Sequence, residues 1–147
     1  MNSEPKKEQI IFYSIEDESL KKLHIYESGV SAGFPSPADD HMEGKLDLNI
    51  HLVKHPTATF FVKASGDSML GAGIHDGDIL VVDRSLEPRK GRVVIAAVDG
   101  QLTVKRLQKK GSKTFLVPEN KKFRSIELNE NNDVKIWGVV TNVIHKV

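Results

Sequence analysis

The dipeptide Asp99–Gly100 restricts what this chain can fold into more than any other short feature. It stands between two β-prone runs, residues 92–98 and 101–107. An Asp-Gly pair in that setting favours a two-residue hairpin turn, so the flanking runs pair as antiparallel neighbours. In the second run, alternation sets Leu102, Val104 and Arg106 on one face and Thr103, Lys105 and Leu107 on the other. The same grammar extends along most of the chain. Residues 59–64 and 79–83 read as strands separated by glycines at 66, 71, 73 and 77. Further strands are expected at 114–117, 126–128 and 134–144, and Pro118 closes the first of these. The expectation is a mainly β fold: one compact β domain over 41–147, preceded by a mobile N-terminal arm over 1–40.

The arm reads differently. Gln9-Ile10-Ile11-Phe12-Tyr13 suits a short strand or a docking segment, residues 16–22 are charged, and Leu20, Leu23 and Ile25 complete no helical stripe. Residues 28–39 are rich in small side chains, and Pro35 and Pro37 hold the chain extended. This is a linker or a peptide substrate, because the Ala32–Gly33 bond has almost no side-chain bulk on either side. Residues 46–50 alternate like a half-buried strand, with a short helix as the other option. His51 and His55 have the spacing that binds zinc on a helix, but no glutamate lies between them and Pro56 follows at once. No metal and no cofactor is expected.

Composition removes several function classes. The 147 residues are 39% hydrophobic and carry a formal net charge of +1, so nothing suggests a DNA-coating surface. Lys105-Arg106 with Lys109-Lys110 is the densest basic cluster, and such runs are usually solvated faces. There is no cysteine, which excludes thiol catalysis and disulfides. No apolar run approaches the roughly 18 residues of a membrane span, and the N-terminus lacks a signal-peptide core. The expectation is a soluble, cytoplasmic protein.

The stretch Lys63-Ala64-Ser65-Gly66-Asp67-Ser68-Met69 leaves a strand and enters glycine-rich turns. Locally it is a Gly/Ser/Asp turn, or a turn that presents a serine hydroxyl while backbone N–H groups converge on a developing negative charge. Lys105, on a different strand, is the group that favours the second reading. A lysine can take a serine proton only as the neutral amine. An exposed lysine titrates near about 10.4, so less than about one in a thousand is neutral at pH 7. Burial among the apolar neighbours of 102–107 could bring that value toward neutrality, at a cost of roughly 4 kcal/mol. Among the six histidines only His75 is close in sequence to Ser68, and it reads as a turn residue.

Whole words of the sequence carry a family resemblance. Phe61-Val62-Lys63-Ala64-Ser65-Gly66-Asp67-Ser68-Met69, Asp76-Gly77-Asp78-Ile79-Leu80-Val81-Val82-Asp83, Val94-Ile95-Ala96-Ala97-Val98-Asp99-Gly100 and Leu102-Thr103-Val104-Lys105-Arg106-Leu107 closely resemble the LexA/UmuD self-cleaving peptidase family. Gly33-Phe34-Pro35-Ser36-Pro37-Ala38, Leu46-Asp47-Leu48-Asn49 and His55-Pro56-Thr57-Ala58-Thr59 look like its UmuD branch. The match is strong over 30–107 and thins beyond. It implies a LexA/signal-peptidase-like β domain with Ser68 as nucleophile, Lys105 as general base and the backbone N–H groups of Asp67 and Ser68 as oxyanion site. It implies a scissile bond between Ala32 and Gly33, where UmuD-type chains often carry Cys-Gly and LexA-type repressors Ala-Gly. It also implies homodimers, stimulation by RecA filaments on single-stranded DNA, and a processed form that serves a UmuC-type translesion polymerase. A LexA-like repressor would need a DNA-reading domain, and no helix-turn-helix pattern precedes Gly33, so no direct sequence-specific DNA binding is expected. A catalytically idle polymerase-binding module would not need both Ser68 and Lys105. The apolar run Ile136-Trp137-Gly138-Val139-Val140 reads either as a dimer interface or as a core strand.

Overall fold

The computed structural model describes residues 11–13, 23–26, 32–33 and 42–147. The expectations for residues 9–10, 16–22, 28–31 and 34–39 lie outside these. The chain divides into two compact units, residues 16–54 and residues 1–15 with 55–147.

In the smaller unit, β2 (Leu23–Tyr26) and β3 (Met42–Leu46) pair antiparallel, with Leu23 opposite Leu46. The alternation read over 46–50 ends as a helix rather than a strand. Asp47 is the cause: its Oδ1 accepts from the N–H groups of Asn49 at 2.9 Å and Ile50 at 3.4 Å. That cap starts α1 (Leu48–Leu52). The helix stops at Leu52, so the His51/His55 zinc spacing is never presented on a helical face. Ala32 and Gly33 form an exposed bend.

The larger unit is one antiparallel eight-stranded sheet in the order β1-β4-β5-β10-β6-β7-β8-β9. Its strands are β1 (Ile11–Tyr13), β4 (Thr59–Lys63), β5 (Ile79–Asp83), β6 (Val93–Val98), β7 (Gln101–Lys110), β8 (Lys113–Val117), β9 (Ile126–Leu128) and β10 (Val134–Ile144). The expected hairpin joins β6 to β7, with Asp99 at φ 49° and Gly100 at φ 81° and Val98 paired to Gln101. Val94, Ile95 and Ala96 are all fully buried, although successive residues point to opposite faces. The sheet is therefore covered on both sides there. Ile95 packs with Val62, Met69, Leu80, Val82 and Val104, whereas Val94 and Ala96 pack with Leu107, Leu116 and Val139.

The C-terminal apolar run is a central strand, because β10 pairs with both β5 and β6. It is bulged between Ile136 and Gly138 on one side and between Val140 and Asn142 on the other. Its Trp137 is 37% exposed, with the Arg84 guanidinium 5.7 Å from its ring centroid. Among the described residues, no helix is long and apolar enough to cross a membrane.

Candidate active site

Strand β4 ends at Lys63, directly opposite Ile79, where β5 begins. Two hydrogen bonds carry the pairing one step further: Ala64 N–H donates to Asp78 O at 2.7 Å, and Gly77 N–H donates to Ala64 O at 2.8 Å. Gly66 then adopts φ 94°, a conformation that side-chain-bearing residues rarely hold. Its N–H donates to Asp76 Oδ1 at 2.8 Å, which pins the start of the turn. Met69 is buried in the core beside Val62 and Leu80, so the chain leaving the turn has a fixed depth. Ser68 is thereby held with 2% of its surface exposed.

A second loop braces the same turn. Glu119 N–H donates to Ser68 O at 2.9 Å, Gly71 N–H donates to Glu119 O at 2.7 Å, and Asn120 Nδ2 donates to Asp67 O at 2.8 Å. A Cβ at Gly71 would lie 2.8 Å from Glu119 O, so the two segments meet too closely for any side chain there. Arg106 ties the brace to β7, donating through Nε to Glu119 Oε1 and through a terminal nitrogen to Gly91 O at 2.6 Å.

Lys105 comes from β7, next to Arg106, and is 6% exposed. Its Nζ lies 3.0 Å from Ser68 Oγ. The amine also donates to Thr103 Oγ1 at 2.7 Å and to Val104 O at 3.1 Å. Thr103 stands two residues before Lys105, on the face that strand alternation assigns to both. A buried hydroxyl and a buried amine thus share one contact. Such a pair can exchange a proton.

The sequence-selected residues separate into two groups. Ser68 and Lys105 meet, with Asp67 adjacent in the same turn, whereas Ala32 and Gly33 belong to the other unit. Sequence singles out neither Glu119 nor Asn120, and it places Arg106 only in a basic cluster of the kind that is usually solvated, whereas the guanidinium is bound to Glu119 and Gly91 O. Glu119 and Asn120 follow Pro118 as an ordinary polar turn, and nothing in their spacing announces the contact with Ser68.

Two buried carboxylates complete the neighbourhood of β5. Burial pushes the Asp78 carboxyl up, but the His75 N–H at 2.7 Å and the His145 ring at 2.6 Å outweigh it and hold the group below the usual carboxylate value. At the other end, burial likewise raises Asp83, while the Ser85 hydroxyl at 2.6 Å, the His55 ring at 2.5 Å and the Ser85 N–H at 2.8 Å prevail and lower it. His55 is therefore engaged with Asp83.

The profile of the family described as Peptidase S24-like matches residues 24–141. Protein SamA of Salmonella typhimurium is 50% identical over 115 residues, covering 78% of this chain and 79% of SamA. Protein MucA of Escherichia coli is 43% identical over 133 residues, 90% of each chain, and protein ImpA of Shigella flexneri is 46% identical over 123 residues, 83% of each. With a match of that length, and relatives of that identity along most of their own length, the chain belongs to the S24-like peptidase family, among the UmuD-type self-cleaving proteins of SOS mutagenesis.

Proposed function

We propose that this chain cuts its own backbone between Ala32 and Gly33, with Ser68 as nucleophile and Lys105 as general base. The 3.0 Å contact between their reactive atoms, with both residues buried, is the observation that carries the reading. A neutral lysine amine has two hydrogens and one lone pair. With its hydrogens directed to Thr103 Oγ1 and Val104 O, the lone pair faces the Ser68 hydroxyl. Lys105 accepts the hydroxyl proton while Ser68 Oγ attacks the Ala32 carbonyl carbon. The backbone N–H groups of Asp67 and Ser68 receive the oxyanion. The Lys105 ammonium returns its proton to the Gly33 nitrogen as the C–N bond breaks. Water, deprotonated by the same amine, then releases Ala32 from the serine ester. Oγ regains its proton, and residues 1–32 leave as one peptide.

A substrate bond on the same chain arrives at very high effective molarity, so the step is limited by docking of the segment rather than by encounter. A partner that prefers the docked state accelerates cleavage by shifting that equilibrium. Family membership supports the RecA filament on single-stranded DNA as that partner. It also supports residues 33–147, as a homodimer, as the form that joins a UmuC-type translesion polymerase. Residues 1–40 then act as the arm and 41–147 as the domain that cuts it.

Purified chain held at pH 9 to 10 is expected to split between Ala32 and Gly33, read by intact mass, because more of the Lys105 amine is neutral there. Ser68→Ala and Lys105→Ala stay whole. A wild-type chain that remains intact both at that pH and with activated RecA filaments overturns the reading.

A further inference from the structure

Away from Ser68 and Lys105, the start of β5 and the end of β10 bring together three groups that neither the self-cleavage chemistry nor the family assignment uses. Ile144 pairs with Ile79 in the β10–β5 ladder, so the residue that follows β10, His145, reaches the residue before β5, Asp78. His75 comes from the loop leading into Asp78. The potential ligand atoms of His75, Asp78 and His145 all lie within 4.8 Å of one another. We propose that these three residues form a site for a divalent transition-metal ion of the zinc class.

The donor set suits such an ion. Two imidazole nitrogens and one carboxylate oxygen are borderline ligands, which favour zinc and its neighbours over magnesium or calcium. Three protein ligands leave a fourth position open. The geometry is close to what coordination requires. At bonds of about 2.0–2.2 Å, tetrahedral ligand atoms sit roughly 3.3–3.6 Å apart. His75 Nδ1 is 3.7 Å from one carboxylate oxygen, Asp78 Oδ2, and His145 Nδ1 is 2.6 Å from the other, Oδ1, so an ion held by a single oxygen requires one ring to turn toward it. The shorter separation is a hydrogen bond, and an entering ion displaces its proton to solvent as the ring moves outward.

The backbone fixes the carboxylate that both rings face. Asp78 is 3% exposed, its N–H donates to His75 O at 3.1 Å, and its carbonyl accepts from Ala64 N–H at 2.7 Å. The rings of His75 and His145 are tilted by 32° with centroids 4.5 Å apart, so the two imidazoles lie beside each other. Their side chains are 48% and 44% exposed, which gives an ion a path in from solvent. A bound ion would fasten the C-terminal end of β10 to the loop that follows Ser68.

Zinc chloride titrated against a chromogenic chelator at pH 7.5 tests the site on the full chain. Wild type is expected to take up one ion per chain, and His75→Ala and His145→Ala to bind it about tenfold or more weakly. Zinc is expected to raise the melting temperature of wild type, and magnesium to leave it unchanged. In wild-type NMR spectra the ring signals of His75 and His145 should shift on adding zinc while those of His24, His41 and His51 stay in place, a readout that survives even if a variant fails to fold. Absence of saturable zinc uptake, equal uptake by both variants, an equal response to magnesium, or shifts confined to the other histidines would each overturn the proposal.

Discussion

The Ser68–Lys105 corner and the two ends of β5 handle buried polar groups in opposite ways. At Asp78 and Asp83 each carboxylate is met by backbone N–H donors and a histidine ring, and the charged form is held. At Lys105 the amine meets two hydroxyls and a carbonyl, the Ser68 hydroxyl among them. Donors around a carboxylate stabilise its charge. Burial around an amine works against its charge. The first arrangement keeps its charge, and the second is the one proposed to move a proton.

The largest expected effect breaks the reactive side. Lys105→Ala or Ser68→Ala should slow self-cleavage by about 10³-fold or more, since members of one catalytic unit cannot be removed independently. In wild type the rate should rise with pH, by at most about tenfold per unit, while the amine is mostly charged, and level off once it is mostly neutral. A rate that falls as pH rises from about 6 to 9, read from cleavage time courses by intact mass, would mean that Lys105 does not act as the base.

The opposite prediction sharpens the inert side. Because the folded value of Asp83 lies below the ordinary carboxylate range, its ionisation adds stability at neutral pH. That stability is present above the unfolded value of about 3.9 and is lost as pH falls through the lower folded value. Asp83→Asn should cost about 2–3 kcal/mol at pH 7, because the Ser85 and His55 contacts lose their charged acceptor. The variant should also lose stability less steeply than wild type on acidification below about pH 4. Denaturant melts across pH measure both. Two parallel curves would show that the carboxylate charge contributes nothing.

These two sides differed in how far the sequence disclosed them. The strands were legible because apolar alternation and the turn chemistry of Asp99 and Gly100 act locally. Ser68 and Lys105 could be named together because whole words around each resemble one family, although spacing alone could not say that they touch. The carboxylate–histidine pairs stayed hidden. Asp83 and His55 come from separate segments that meet only once β4 lies beside β5, and short-range patterns carry no record of such pairing. Asp47 shows the converse failure. Alternation over 46–50 suited a strand, but one side chain accepting two backbone N–H bonds was enough to start a helix.

A smaller effect tests whether the sheet's close contacts belong to the inert side. A Cβ on Gly138 would lie 2.7 Å from Val82 Cγ1 and 3.2 Å from Asp83 O. Gly138→Ala should therefore cost about 1–2 kcal/mol through overpacking at the β10 bulge, with the cleavage rate of the folded fraction unchanged. Thermal melts and cleavage time courses on the same sample separate the two quantities. A loss of cleavage without a loss of stability would show that the bulge reaches the reactive corner.

The smallest expected effect probes the brace, where the two kinds of region meet. Asn120 Nδ2 donates to Asp67 O at 2.8 Å, immediately before the nucleophile, in a position open to water. Removing the amide with Asn120→Ala leaves Asp67 O with the long contact from Leu70 N–H at 3.4 Å and open to solvent, so the stability cost should be no more than about 0.5–1 kcal/mol. Its effect on cleavage has a different origin. The peptide unit linking Asp67 and Ser68 has its carbonyl held by Asn120, and its N–H is one of the two groups proposed to receive the oxyanion. Loosening that unit should slow cleavage by several-fold, well short of the loss of one oxyanion donor, about 10²-fold or more. Asn120→Asp keeps a side chain of similar size but presents no donor at neutral pH, so it should be slowed at least as much. If Asn120→Asp instead cleaves at the wild-type rate while Asn120→Ala is slow, the residue acts by filling space and the proposed hold on the Asp67–Ser68 peptide is wrong.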